Sequence, residues 1–182
     1  MTIDVTVVAA DERSADSDLD VDVRRWERLA VDVLLDRQAQ GELTLTFVDT
    51  DEIAALNAEY MGKQGPTDVL SFPLDVLGDA PPEGLLLGDV VVCPAVAAQQ
   101  YAEHAGTLDD ELALLVVHGV LHVLGHDHTE TDEAEQMRAL ELQLLMAHHW
   151  RSGPPAGFRL IHSDDASDDP VDDPADGLSG ES

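Results

Sequence analysis

The stretch Leu112–Leu124, LALLVVHGVLHVL, constrains the fold more than any other part of the chain. It carries no charged side chain, and a helix that is apolar all round has to be covered on every side. The run falls short of the roughly 20 residues that a membrane-spanning helix needs, and it contains two histidines. It therefore reads as the central helix of a packed core. Thr107 with Asp110 three residues on gives a capping-box-like start, and Gly125 supplies the residue that ends the helix.

The rest of the chain has the pieces to surround such a helix. IDVTVVA (3–9) is β-branched and alternating, and ELTLTFVD (42–49) is the clearest alternating strand. Between them, Val23, Trp26, Leu29, Ala30, Val33 and Leu34 recur at helical spacing over residues 21–39. A short helix is expected from Thr50, with Ile53, Leu56 and Tyr60 on one face, stopped by Gly62, Gly65 and Pro66. DVLSFPLDV (68–76) reads as a third strand, with Pro73 marking an edge or an end. GDAPPEG follows as a loop, GDVVVC (88–93) as a buried strand, and Pro94 opens a helix reaching about His104. A last helix, from about Thr131 to Trp150, aligns Met137, Leu140, Leu144 and Leu145. The expectation is an α+β fold: a single small mixed sheet of about four strands packed with about five helices.

Charge narrows the function classes. There are 38 acids against 9 bases, a net of −29. From Gly153 onward eight acids face one base, a net of −7, which leaves −22 on residues 1–152. Residues 1–152 are expected to form one domain, and 153–182, rich in Gly, Pro, Ser and Asp, a disordered acidic tail. A surface this acidic repels phosphate backbones at long range, so composition argues against a general nucleic-acid binder and against DNA. One cysteine, Cys93, excludes a disulfide framework and a Cys-rich zinc knuckle. The start, MTIDVTVVAADERS, lacks a basic segment followed by an apolar one, so no secretory signal is expected. The expected location is the cytoplasm, with no membrane partner.

Residues 116–128, VVHGVLHVLGHDH, place four histidines within eleven positions of the apolar helix and its exit. His118 and His122 are four apart, so about 400° of rotation brings both rings to one face, one turn apart. Gly125 lets the chain turn back, and His128 arrives six residues after His122. Three neutral imidazoles on a tetrahedral Zn²⁺ leave one position open, which is the arrangement of catalytic rather than structural zinc. A histidine in an apolar helix is more often a hydrogen-bonded core residue. The glycine and the third histidine at matching offsets carry the metal reading past that alternative. His126 reads as a wall of the site. Asp127 either orients a ligand imidazole or faces water. Peptidases of the H-E-x-x-H-x-x-G-x-x-H class share the spacing, but the position of their glutamate base is Gly119 here. Met137 is placed where such a peptidase could have its methionine turn, and reads better as a core residue.

Two segments resemble a known family, the YbeY-type endoribonucleases that mature bacterial rRNA. HGVLHVLGHDH (118–128) is similar to the family's H-G-x-L-H-x-x-G-x-D-H, and LNAEYMGKQGPTDVLSFPLD (56–75) to its L-N-x-x-[YW] … P-T-D-V-L-S-F-P block. The resemblance spans roughly residues 3–150. It implies zinc held by His118, His122 and His128, cleavage of single-stranded RNA, work on 16S rRNA 3′ ends, and partners in the ribosome or its proteins. Many members have an arginine after the aromatic of the first block; this chain has Met61, and Lys63 is the base that could stand in for it. Ser71 could line the cleft, whereas Val69, Leu70 and Phe72 read as core, and Thr67 with Asp68 as the turn into the strand. His118, Asp127 and Lys63 are the candidate catalytic residues. Asp127, His126 and Asp68 are the candidate bases, among which spacing does not choose; nor does it choose between water and a ribose 2′-hydroxyl as nucleophile. A zinc hydrolase of another substrate, such as a peptide, and a ribosome-assembly factor without catalysis are the other classes that fit.

Overall fold

Alternating β-branched runs and amphipathic helices assemble in the computed structural model around one buried helix. Residues 4–15, 17–74, 85–104, 106–128 and 130–160 are described. In chain order they form β1 (Val5–Asp11), α1 (Val23–Asp36), β2 (Gly41–Phe47) and α2 (Thr50–Leu56), which continues as a π-helical turn over Asn57–Met61. Then come β3 (Val69–Pro73), β4 (Leu86–Val92), α3 (Pro94–Gln100), α4 (Leu108–Val123) and α5 (Thr131–His148). The expected α+β class, four-stranded mixed sheet and five helices are what forms. The expected GDAPPEG connection lies outside the described residues, and the helix expected to reach His104 stops at Gln100 and goes on as turns.

The strand order is β1-β2-β4-β3. β1 pairs parallel with β2, and β2 with β4, while β3 runs antiparallel to β4 along the edge. An edge is where Pro73, with no N–H to donate, can sit without breaking a ladder. Val7, Leu43, Leu45, Phe47, Val90 and Val92 bury one sheet face against α1 and α4, with α5 packed on those helices. Leu70 and Val91 join Val48, Ile53, Cys93 and Val96 in a smaller cluster.

Every residue of α4 from Asp110 to Val123 is buried except His122. Contacts with α1, α3, α5, β3 and β4 supply the cover that its all-round apolar sequence demands. Its glycine is what lets it approach the sheet. A Cβ at Gly119 would stand 2.5 Å from Val90 Cγ1 and 3.3 Å from both Ser71 Oγ and Val69 Cγ2.

The start of α4 is fixed by polar bonds. Thr107 Oγ1 accepts from the Asp110 N–H at 3.2 Å, and Asp110 Oδ2 accepts from the Thr107 N–H at 2.8 Å, a complete capping box. Asp110 Oδ1 also accepts from Trp150 Nε1 at 2.6 Å and meets His149 Nε2 at 2.9 Å. Burial alone would raise the Asp110 pKa; the bonds from Trp150, Thr107 and His149 outweigh it and lower the group from 3.8 to about 2. A carboxylate depressed in the folded state stabilises the fold above its unfolded value, and that contribution disappears as pH falls from near 4 to near 2. Asp110→Asn is therefore expected to cost about 2 kcal/mol at neutral pH and almost nothing below pH 2. Denaturant melts of both proteins across that range check it; a constant difference contradicts it.

Beyond the expected domain boundary at 152 the chain is still packed. The Phe158 ring meets Trp150 edge-on at 4.8 Å, Leu160 packs on the main core, and the Arg159 N–H donates to the His104 carbonyl at 3.0 Å. The rest of the expected tail, 161–182, lies outside the described residues.

Candidate metal centre and active site

α4 delivers two histidines on one face, as the four-residue spacing requires. Their ring centroids are 4.4 Å apart, with the two Nε2 atoms at 3.0 Å. Gly125, at φ 88°, then reverses the chain in a Schellman turn. The His126 N–H bonds the Leu121 carbonyl at 3.0 Å, and the Gly125 N–H bonds that of His122 at 2.9 Å. The returning chain sets the His128 ring 5.0 Å from His122 and 5.5 Å from His118. Asp127 braces this residue locally, its Oδ1 accepting the His128 N–H at 2.7 Å.

One ligand nitrogen from each of His118, His122 and His128 lies within 4.8 Å of the other two. Tetrahedral ligands at zinc–nitrogen distances of about 2.0–2.1 Å stand about 3.3 Å apart, close to the spacing of the first pair. Glu141, fully buried on α5, supports the geometry: its Oε1 lies 2.7 Å from His118 Nδ1. A carboxylate there accepts a hydrogen bond from Nδ1–H, which fixes the tautomer and leaves the Nε2 lone pair toward the other two rings. Three imidazoles, one of them oriented from behind, can hold one metal ion.

Glu141 is the functional residue that periodicity missed. Its sequence signal is a carboxylate four residues after Met137, inside the apolar stripe of α5. Glu141→Gln, which keeps the shape and removes the charge, is expected to weaken metal affinity about 10-fold, and Glu141→Ala about 100-fold. A chelator-competition titration measures it; affinity equal to that of the parent removes Glu141 from the site.

The three rings form the floor of an open cleft of about 280 Å³. Its other wall comes from β3 (Val69, Leu70, Ser71, Pro73) and the segment before it (Asn57, Met61, Lys63, Thr67). The Ser71 hydroxyl donates to the Gly119 carbonyl at 3.2 Å, tying that wall to the metal helix. Asn57 is buried and holds the loop that carries Lys63: its Nδ2 donates to the Gly65 carbonyl at 2.9 Å, and its own carbonyl accepts from the Lys63 N–H at 3.3 Å. Lys63 and Asp127 both line the cleft, and Met61 occupies the wall near Lys63.

Other expectations are redirected. His126, expected as a site wall, is not among the described residues lining the cleft. Burial and the nearby Arg37 guanidinium push its imidazole pKa down. The Schellman turn points successive residues to different sides, which separates it from His128. Asp68 is buried in the turn before β3, where its Oδ1 accepts from the Val69 N–H at 2.8 Å and the Thr67 hydroxyl at 3.2 Å. Met137 packs in the core, as its place on the α5 stripe suggests.

Comparison with known proteins agrees with this geometry. The family described as Endoribonuclease YbeY matches residues 11–149. A protein of that name from Acidothermus cellulolyticus is 48% identical over 153 residues, covering 78% of this chain and 91% of the relative. One from Salinispora tropica is 43% identical over 157 residues, covering 81% and 98%. The solution structure of a Thermotoga maritima protein superposes with a TM-score of 0.51 at 25% identity, covering 82% of this chain and 93% of that one. A triple-histidine floor under a β-edge cleft, on a chain matched over most of its length, makes this protein a member of the YbeY endoribonuclease family.

Proposed function

We propose that the chain is a zinc-dependent endoribonuclease that cuts single-stranded rRNA in the cytoplasm, acting in 16S 3′-end maturation and ribosome quality control. The observation that carries this reading is the set of three imidazole nitrogens within 4.8 Å at the base of an open cleft, in a chain of this family. His118, His122 and His128 hold the ion. Bound there, zinc supplies a Lewis acid for a scissile phosphate oxygen, or for acidifying an attacking water. With neutral ligands it keeps its double charge and makes the cleft floor positive on an acidic body. Lys63 pairs with a phosphate oxygen at the wall. Of the three bases considered, Asp127 alone lines the cleft, so it takes the proton of the attacking hydroxyl. The peptidase alternative has no room for its base, because even a Cβ at position 119 would stand 2.5 Å from Val90 Cγ1.

A body at −22 has little long-range attraction for free RNA, so the ribosome positions the strand for cutting. The test is cleavage of a single-stranded 16S 3′ precursor fragment, free and within ribosomal particles, by zinc-loaded and chelator-treated protein. Cutting that needs zinc and is faster on particles is expected. Activity that survives chelation sinks the metal role, and equal rates on both substrates remove the need for the ribosome.

A further inference from the structure

Affinity for a single strand has to come from somewhere other than charge. Lys63 is the one base among the described residues lining the cleft, and the chain has 9 bases against 38 acids. Proteins that hold unpaired nucleic acid also use aromatic faces, on which a base of any identity can stack. All seven aromatic side chains lie within the described residues, and only Tyr60 is exposed, at 60%.

Its position is built rather than incidental. Tyr60 belongs to the π-helical turn whose residues Asn57 and Met61 line the cleft. Its ring stands edge-to-face with Phe72 at 5.2 Å and 70°. Packing on Phe72 fixes the ring one residue before the cleft-lining Met61 and leaves much of it to solvent. Met61, which lines the cleft, is itself 43% exposed. An exposed aromatic face next to a cleft-lining residue, on a protein that repels phosphates, suits the face of a nucleobase.

We propose that Tyr60 is the stacking platform for an unpaired nucleobase next to the scissile phosphate, and thereby a determinant of single-strand preference. A base in a duplex is already stacked and paired, and cannot lie on this ring without opening. The inference deepens the endoribonuclease reading and rests on it for the identity of the substrate.

The test uses the full-length, zinc-loaded protein and a short single-stranded RNA carrying 2-aminopurine, whose fluorescence is quenched by stacking. Tyr60→Ala should abolish the quench, while Tyr60→Phe and Tyr60→Trp keep it. It should also lower kcat/KM about 5- to 140-fold, mainly through KM, with metal content and melting temperature near those of the parent. An equal quench in parent and Tyr60→Ala, or none in either, overturns the stacking role, as does a Phe variant as impaired as the Ala variant. Quenching without any cutting by the parent leaves the platform standing and sinks the nuclease reading instead.

Discussion

His118→Ala is expected to yield a protein that neither retains metal nor cuts RNA. The substitution removes the most buried of the three clustered histidines and the ring that Glu141 contacts. Loss of a metal ion's charge from a phosphoryl transition state is worth several kcal/mol, so the rate should fall by about 10³-fold or more. Metal analysis of protein purified without chelator, followed by the single-strand cleavage assay, checks both halves. Full metal content in the variant would show that the ion sits elsewhere. A metal-free variant that still cuts would show that the ion has no part in the chemistry.

The second large effect concerns the position that separates this helix from the peptidase pattern. Gly119→Glu would write H-E-x-x-H into the sequence, yet the side chain would enter the interface between α4 and the sheet. Even a Cβ meets Val90 Cγ1 at 2.5 Å, and Val90 is fully buried with a stiff, branched side chain that cannot swing away. Gly119→Ala is accordingly expected to destabilise by about 1–3 kcal/mol through overpacking, against about 1 kcal/mol gained in helix propensity. The glutamate adds an unpaired charge to a buried interface, and the expected outcome is loss of folding rather than gain of peptidase activity. Denaturant melts of both variants and a peptide-substrate screen decide it. A folded Gly119→Glu protein that hydrolyses peptides would mean that this face looks into the cleft.

What could be read from the chain depended on how local each interaction is. The strands, the amphipathic α1 and the capping box of α4 are set by spacings of two to four residues, and these were legible. So was the convergence of His118, His122 and His128, because one helical face and one glycine turn bring them together. Glu141 lies 23 residues from its partner, and only the packing of α5 on α4 joins them. His126 was misread because adjacency in sequence says little about direction once a chain leaves a helix. Gly119 could be seen as the wrong residue for a peptidase, while the physical reason for glycine there, the closeness of Val90 and Ser71, belongs to the tertiary fold. Phe158 and Leu160 were assigned to a tail on composition, and they pack on the body because Trp150 offers a ring edge at the end of α5.

The three donors span only residues 118–128, so unfolding leaves a chelating peptide intact. A metal held by the native cluster would then bind the denatured ensemble too, and mass action would reward only the difference between the two. A saturated sample will resist heat less than its native dissociation constant alone implies. What sets the native affinity apart is the preorganisation brought from a distance in sequence, the carboxylate of α5 and the wall of β3.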